Sequence, residues 1–257
     1  MKKYVYEDQN ELNWLHYIRD IELSTILSFF PKQKIKILEL GGGEGYLAKR
    51  INEIGHDITS IDLNPRFPQD FPVQKANAEN LDFSEESFDV VFSSHVVAHI
   101  ADPEKVFDEL KRVLKKDGII IHIVPSPWWS LITNFWHYCF IPKYLFRSIK
   151  KRISKVQSEN RDTKHQVDEK KKTIKDLFAN PIGVNPSFVH ELIYFRKNSW
   201  KIFFDKHGFE IIAVKKCPQL SSGYGVFKNK LLNQRKFIAQ KFFSSSYCFV
   251  LKKATAL

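Results

Sequence analysis

Two hydrophobic periods alternate along the chain. Leu12, Leu15, Ile18, Ile21, Leu23, Ile26 and Leu27 recur at helical spacing and stop before Pro31, which predicts an amphipathic helix leading into the domain. "KIKILEL" is short and β-rich, "GGGEG" breaks it, and "YLAKRINEIG" returns to helical spacing until Gly55 closes it. Strand, glycine loop and helix open a βαβ unit. "DITSIDL" predicts a second strand, "FPVQKA" a third and "FDVVFSS" a fourth, the last a continuous apolar run of the kind buried in a parallel sheet. Asp102 and Pro103, as N-cap and first-turn proline, start a helix that runs through "EKVFDELKRVLKK" to Gly118, and "IIIHIV" is the next strand.

This alternation over residues 35–124 predicts an α/β domain with a parallel sheet and right-handed crossovers. Between Pro125 and about Pro186 the pattern dissolves into an aromatic segment followed by a basic, polar one. "SWKIFFDKHGFEIIAVKK" restores a helix and a strand, and "SSYCFVLKKA" is a final strand after a loop rich in Lys, Asn and Gln. Three regions follow: residues 1–124 form the N-terminal helix and core, 125–195 an aromatic and basic lid inserted over the top of the sheet, and 196–257 the C-terminal helix and two strands that complete the core.

Composition narrows the class. With 257 residues, 43% hydrophobic and 27% charged, the chain has material for a substantial core and none of the bias of a disordered protein. Cys139, Cys217 and Cys248 lie far apart, which leaves neither a disulfide framework nor a thiolate metal cluster and fits a reducing, cytoplasmic setting. The first residues hold acids and no apolar run, which argues against a cleaved secretion signal. From Gly118 to Pro142 there is no Asp, Glu, Lys or Arg, but Pro125 and Pro127 divide this stretch into a strand and an aromatic segment too short and mixed to span a bilayer. The net charge of +11 is uneven, because Lys143–Lys175 holds twelve Lys or Arg against four Asp or Glu. A local patch of this kind suits an anionic partner at one site, such as a lipid surface, a phosphate-bearing substrate or RNA.

The glycine loop carries the chemistry. Gly41, Gly42, Gly43 and Gly45 stand between a strand and a helix, where a ligand can approach the backbone and meet helix N-terminal N–H groups. The spacing G-x-G-x-G departs from the dinucleotide pattern G-x-G-x-x-G/A. Glu39 precedes the loop and would repel a pyrophosphate but suit an amino group, while Asp62 ends the second strand, where a carboxylate can accept both ribose hydroxyls. An NAD-dependent oxidoreductase is disfavoured on these grounds.

In order and spacing, "ILELGGGEG", "SIDLNP", "ANAENLDF" and "SFDVVFSSHVVAHIADPEKVFDELKRVLKKDGIIIHIVP" resemble the class I S-adenosylmethionine-dependent methyltransferases, over about residues 35–124 and again weakly at "KHGFEI". The resemblance implies a Rossmann-like, doubly wound, seven-stranded, mostly parallel sheet with an antiparallel last strand and the lid inserted before the sixth strand. It implies S-adenosylmethionine as cofactor, with Glu39 and the backbone of Gly41 and Gly43 toward its methionine part and Gly45 also in the cofactor site. Asp62 would hold the ribose, and Leu63, Asn77 and Ala78 would border the adenine. Ser93, Ser94 and His95 would line the floor near the sulfonium. Asn77 stands where many members of the family carry Asp.

No metal is required for such a transfer, and no metal-ligand motif is present in the sequence. A hydroxyl acceptor benefits from a general base. His95 and His99 in "SSHVVAHI" are four apart, on one face if a helix starts there, and His95 is the stronger candidate because it follows the strand directly. His122, within a strand of isoleucines, points either to the core or to the mouth, and His137, His190 and Glu191 belong to the lid. "PWWSLITNFWHYCF" is dense in aromatics, and Leu145, Ile149, Ile153 and Val156 recur at helical spacing among Arg147, Lys150, Lys151, Arg152 and Lys155. That pattern fits either a lid helix packed on the core or an element lying on a membrane surface through residues 128–156.

The aromatic lid, together with "VPSPWW" and the tail "HELIYFRKNSWKIFFDKHGFEI", also resembles methyltransferases of surface polysaccharide or lipid-linked glycan synthesis. The acceptor expected from it is an oxygen of a glycan or glycolipid-like molecule, with a quinone-like or other small apolar molecule as the alternative. A noncatalytic protein binding RNA or anionic lipid is a third reading. The basic run lacks interleaved aromatics and any recognisable nucleic-acid module, which argues against a nucleic-acid partner.

Overall fold

A computed structural model describes residues 9–139, 181–182, 184–221, 228 and 230–254, with side chains from Trp14 onward. Seven strands form one sheet in the order β3-β2-β1-β4-β5-β7-β6: β1 (Lys36–Leu40), β2 (Asp57–Asp62), β3 (Val73–Lys75), β4 (Phe88–Ser94), β5 (Leu114–Pro125), β6 (Phe209–Lys216) and β7 (Ser246–Lys253). The first five pair in parallel, whereas β7 runs antiparallel to both β5 and β6. This is the Rossmann-like sheet expected from the sequence, with residues 126–208 between β5 and β6.

The strands bury both faces, as the continuous apolar runs require. Ile37, Val90, Phe92, Ile121 and Ile123 face α1 (Gln9–Ile26) and α2 (Tyr46–Glu53), where Leu23, Ile26, Leu47 and Ile51 complete one core. Leu38, Val91 and Ile120 point the other way. There they meet Phe107 and Leu110 of α3 (Pro103–Val113) and Trp200 and Phe204 of α6 (Lys197–Lys206). Period-two alternation along each strand thus sorts its side chains between two helix layers.

Four local expectations need correction. The helix that starts at Pro103 ends at Val113 instead of reaching Gly118, and β5 begins at Leu114 opposite Phe88. Lys115 bonds Asp89 at 2.7 Å and Lys253 Nζ donates to the Leu114 carbonyl at 2.6 Å, so sheet partners claim the "LKKDG" stretch. "SSHVVAHI" is not one helical face, since His95 sits at φ 59° and only Val97–His99 form a 3-10 turn. Pro127 does not interrupt a helix but occupies its first turn, where its missing N–H costs nothing, and α4 runs over residues 127–139. Finally, the polar loop before the last strand contains α7 (Leu232–Lys241). Only Ala239 of α7 is fully buried, so it has little apolar periodicity to read, and it is held by the Arg235 guanidinium 4.6 Å over the Trp14 ring. α5 (Phe188–Tyr194) precedes α6. The basic stripe over 145–156, and with it most of the expected membrane contact, lies outside the described residues. Among the described residues no helix is long and apolar enough to cross a membrane.

Candidate active site

The parallel strands end on one side of the sheet, and a cavity of about 560 Å³ opens there between β1, β2 and β4. Its walls include Gly41, Asp62, Leu63, Asn77, Ala78, Ser94, His95 and His99, eight of the residues singled out from sequence. This is the crevice at the carboxyl ends of the strands where α/β sheets bind ligands, and its volume suits a small organic molecule.

The loop after β1 is bent by necessity. Gly41 has φ 72°, and a Cβ there would stand 2.3 Å from Val96 Cγ2. At Gly42 a Cβ would meet Ser60 Oγ at 1.9 Å. Both glycines let the backbone pass against side chains that leave no room for a methyl group. The Gly43 N–H donates to Asp62 Oδ2 at 3.0 Å, and the Asn64 N–H donates to Asp62 Oδ1 at 2.7 Å. Two backbone donors therefore fix the Asp62 carboxylate at the rim while leaving lone pairs for a ligand.

Four predicted residues do not line the cavity. Glu39 lies beneath the loop, buried, and accepts a 2.6 Å hydrogen bond from Ser60 Oγ. Burial pushes its carboxyl up to about 7 despite that bond. Gly43 is covered by Arg66, whose guanidinium pairs with Glu44, and Gly45 is the left-handed N-cap of α2. Ser93 turns to the opposite face, where its hydroxyl bonds His122 Nδ1 at 2.7 Å. His122 packs between Phe107 and Phe204, and burial drives its pKa down to about 3, so it is a neutral core histidine. Glu191 is likewise structural: its buried carboxylate ties Ser130 of α4 to the Ile182 N–H. His190 bonds the N-cap Ser187, and His137 is on α4.

The N-terminal helix supplies what the sequence reading missed. Glu22 is fully buried, and its carboxylate gathers Arg19 Nη1 at 2.6 Å, Ser94 Oγ at 2.8 Å and His95 Nε2 at 2.9 Å, with Gln219 Nε2 at 3.4 Å. Burial alone would raise this carboxyl, but the adjacent Arg19, then His95, outweigh it and bring it down to about 2. Arg19 also reaches Ser94 Oγ at 2.5 Å and lines the cavity. A signal existed: Leu15, Ile18, Glu22 and Ile26 share one helical stripe, so a carboxylate sits on the buried face. Such a group is retained only with partners.

His95 itself is held from several sides. Its backbone N–H bonds the Ile123 carbonyl at 2.8 Å, and Nε2 meets Glu22 and, at 3.4 Å, Ser246 Oγ. Since Glu22 is ionised it can only accept, so Nε2 carries the proton and Nδ1 is the ring's basic nitrogen. His99 is half-buried, and burial together with His95 lowers its pKa.

Comparison with known proteins bears on this geometry. Residues 38–122 match the Methyltransferase domain family. A ubiquinone biosynthesis O-methyltransferase of Cereibacter sphaeroides is 30% identical over 116 residues, covering 40% of this chain and 44% of that protein. An uncharacterised protein of Methanocaldococcus jannaschii is 34% identical over 115 residues, covering 44% and 53%. The chain thus spans about half the length of the curated relatives it matches. An S-adenosylmethionine-dependent methyltransferase structure from Mesorhizobium loti shares the fold, with TM-score 0.52, 12% identity and coverage of 91% and 98%. One from Methanosarcina mazei does so with TM-score 0.51, 16% identity and coverage of 90% and 98%.

The cavity's residues fit S-adenosylmethionine. Asp62 offers fixed carboxylate oxygens for ribose hydroxyls, and Leu63, Ala78, Ile100 and Val106 give apolar walls for a flat base. The Arg19 guanidinium on the cavity wall matches a carboxylate, and Glu39, outside the lining and buried beneath the loop, is a carboxyl able to ionise near neutrality close to a positively charged group. Residues 38–122 thus match a methyltransferase domain, and the sheet that carries them has the fold of solved S-adenosylmethionine-dependent methyltransferases.

Proposed function

We propose that the chain transfers a methyl group from S-adenosylmethionine to a hydroxyl oxygen of a glycan or glycolipid-like acceptor. The Glu22–His95 pair at the cavity wall carries this reading. A hydroxyl must lose its proton as the new O–C bond forms, and His95 Nδ1 is the base that receives it. Glu22 fixes the ring, keeps the proton on Nε2 and stabilises the positive charge that develops on the imidazole. The bound cofactor supplies the methyl and keeps the electron pair of the broken S–C bond on its sulfur. Arg19, Asp62 and the Gly41 backbone orient the cofactor, which is the main source of rate in an in-line displacement.

The lid supports a saccharide or other amphiphilic acceptor. The Val184 N–H donates to the Ala98 carbonyl at 3.3 Å, so the chain after α4 meets the 97–99 turn at the cavity rim. Trp128, Phe135 and Tyr138 on α4 offer exposed apolar ring faces, which suit a surface where the lipid part of a glycolipid-like acceptor is held. A second reading, a quinone-like acceptor, is favoured by the ubiquinone biosynthesis O-methyltransferase among the relatives.

The test combines titration calorimetry with S-adenosylmethionine and NAD and a labelled-methyl assay on lipid-linked saccharides and on polyprenylated phenols. Binding of S-adenosylmethionine alone, label in the saccharide fraction, and a His95→Ala variant that loses turnover at least about a hundredfold while keeping cofactor affinity are expected. Label in phenols alone selects the second reading. Equal loss of turnover and affinity in His95→Ala removes the base assignment.

A further inference from the structure

We propose that α4 and the end of α7 form a docking face for an anionic lipid bilayer. On α4, Trp128, Leu131, Phe135 and Tyr138 recur at steps of three, four and three, so they share one side of the helix, and each is at least 37% exposed. Ser130 and Asn134 are buried on another side of the helix, and the Ser130 hydroxyl donates to the Glu191 carboxylate, which holds α4 to the protein. The Trp128 ring stacks on Phe243 at 4.2 Å, which joins this stripe to α7, where Phe237 and Phe242 are 56% and 65% exposed. Five large aromatic rings and a leucine thus face outward on two adjoining elements at the end of the sheet where the cavity opens.

Charge identifies the occupant. Lys216 Nζ donates to the Phe242 carbonyl at 2.8 Å, at the α7 end of the stripe. Lys236 and Lys241 are exposed on α7 itself. An apolar, aromatic stripe bordered by cations matches the acyl boundary and the anionic headgroups of a bilayer together. A second copy of the chain would set these cations against each other across an isologous contact. Nucleic acid fits less well, because residues 127–139 carry no Lys or Arg to meet a phosphate backbone along the stripe. The proposal stands apart from the acceptor's identity, since binding is measured without methyl transfer.

The full chain is tested by flotation with vesicles of phosphatidylcholine alone and with phosphatidylglycerol added at roughly one lipid in three. Binding to the anionic vesicles, weakened by salt, is expected. Phe135→Glu and Phe242→Glu should each reduce it on the order of tenfold, the effect of removing one buried aromatic side chain. Both variants should keep the wild-type circular dichroism and S-adenosylmethionine affinity, which separates lost docking from lost folding. Ile54→Glu, exposed at the C-terminal end of α2 just before β2 begins, at the end of the strands away from the cavity, should float as wild type does. Three outcomes overturn the proposal: no binding to anionic vesicles, binding insensitive to both variants, or a wild-type dimer in sedimentation that Phe135→Glu dissociates. Salt-sensitive binding of a mixed-sequence RNA, lost in Phe135→Glu where vesicles do not bind, would assign the face to nucleic acid.

Discussion

Glu22→Gln keeps the size of the side chain and removes the charge that Arg19, Ser94 and His95 converge on. The wild-type carboxyl is brought from its ordinary 4.5 down to about 2 in the folded protein. Each unit of such a shift corresponds to about 1.4 kcal/mol of linkage, so ionised Glu22 contributes about 3 kcal/mol at neutral pH. A lowered carboxyl gives stability that is present above the unfolded value and is lost as pH falls toward the folded one. Urea denaturation at pH 7 should therefore find Glu22→Gln destabilised by about 3 kcal/mol, in the range for breaking a buried pair and stranding its cation. At pH 3.5, where part of the wild-type linkage is already lost, the gap should narrow to about 2 kcal/mol. A loss below about 1 kcal/mol at pH 7, or a gap that does not change with pH, would refute the claim that the ionised carboxylate holds α1 to the end of β4.

Two further outcomes follow from groups under the glycine loop. Glu39, raised to about 7 by burial, favours the fold most below pH 4.5 and progressively less as pH rises to 7. A cationic ligand nearby would ionise it, so calorimetry at pH 6 in buffers of different protonation enthalpy should detect proton release on S-adenosylmethionine binding, and little release at pH 8. Equal release at both would sink that role for Glu39. Gly42→Ala would force Ser60 Oγ off Glu39, costing about 1–3 kcal/mol as an overpacked core site, and should lower the thermal midpoint by several degrees. An unchanged midpoint would mean that the loop has slack the geometry does not show.

Much of the sheet was legible because its signals are local. "ILELGGGEG" and "FDVVFSS" state strand, turn and strand in adjacent residues, and Asp102-Pro103 marks a helix start that the Asp102 side chain caps by accepting from the Lys105 N–H. Asp62, Leu63, Asn77 and Ala78 line the cavity because they stand at or just past the ends of β2 and β3, positions that the strand pattern marks. What sequence could not show depends on distant partners. Helix α3 gives way to strand at Leu114 because β4 and Lys253 hold that stretch, and α7 is fixed by Trp14, more than two hundred residues earlier. Arg19 and Glu22 escaped for a related reason: they reach the site from the opposite end of the domain's sequence. Ser93 and Ser94 are neighbours, yet alternation along β4 sends one to the core with His122 and the other to Glu22.

The position of β7 has consequences for how the molecule can be made. It is the last strand in sequence but lies between β5 and β6, so the sheet cannot close until residues 246–253 have emerged and inserted. Until then β5 presents Ile121 and Ile123 on an open edge, and β6 has no neighbour at all. Open edges of this kind invite pairing between chains. The nascent chain is therefore open to aggregation from the emergence of β5 until β7 has followed β6 and paired. A break before Ser246 would leave two exposed edges in place of a finished sheet.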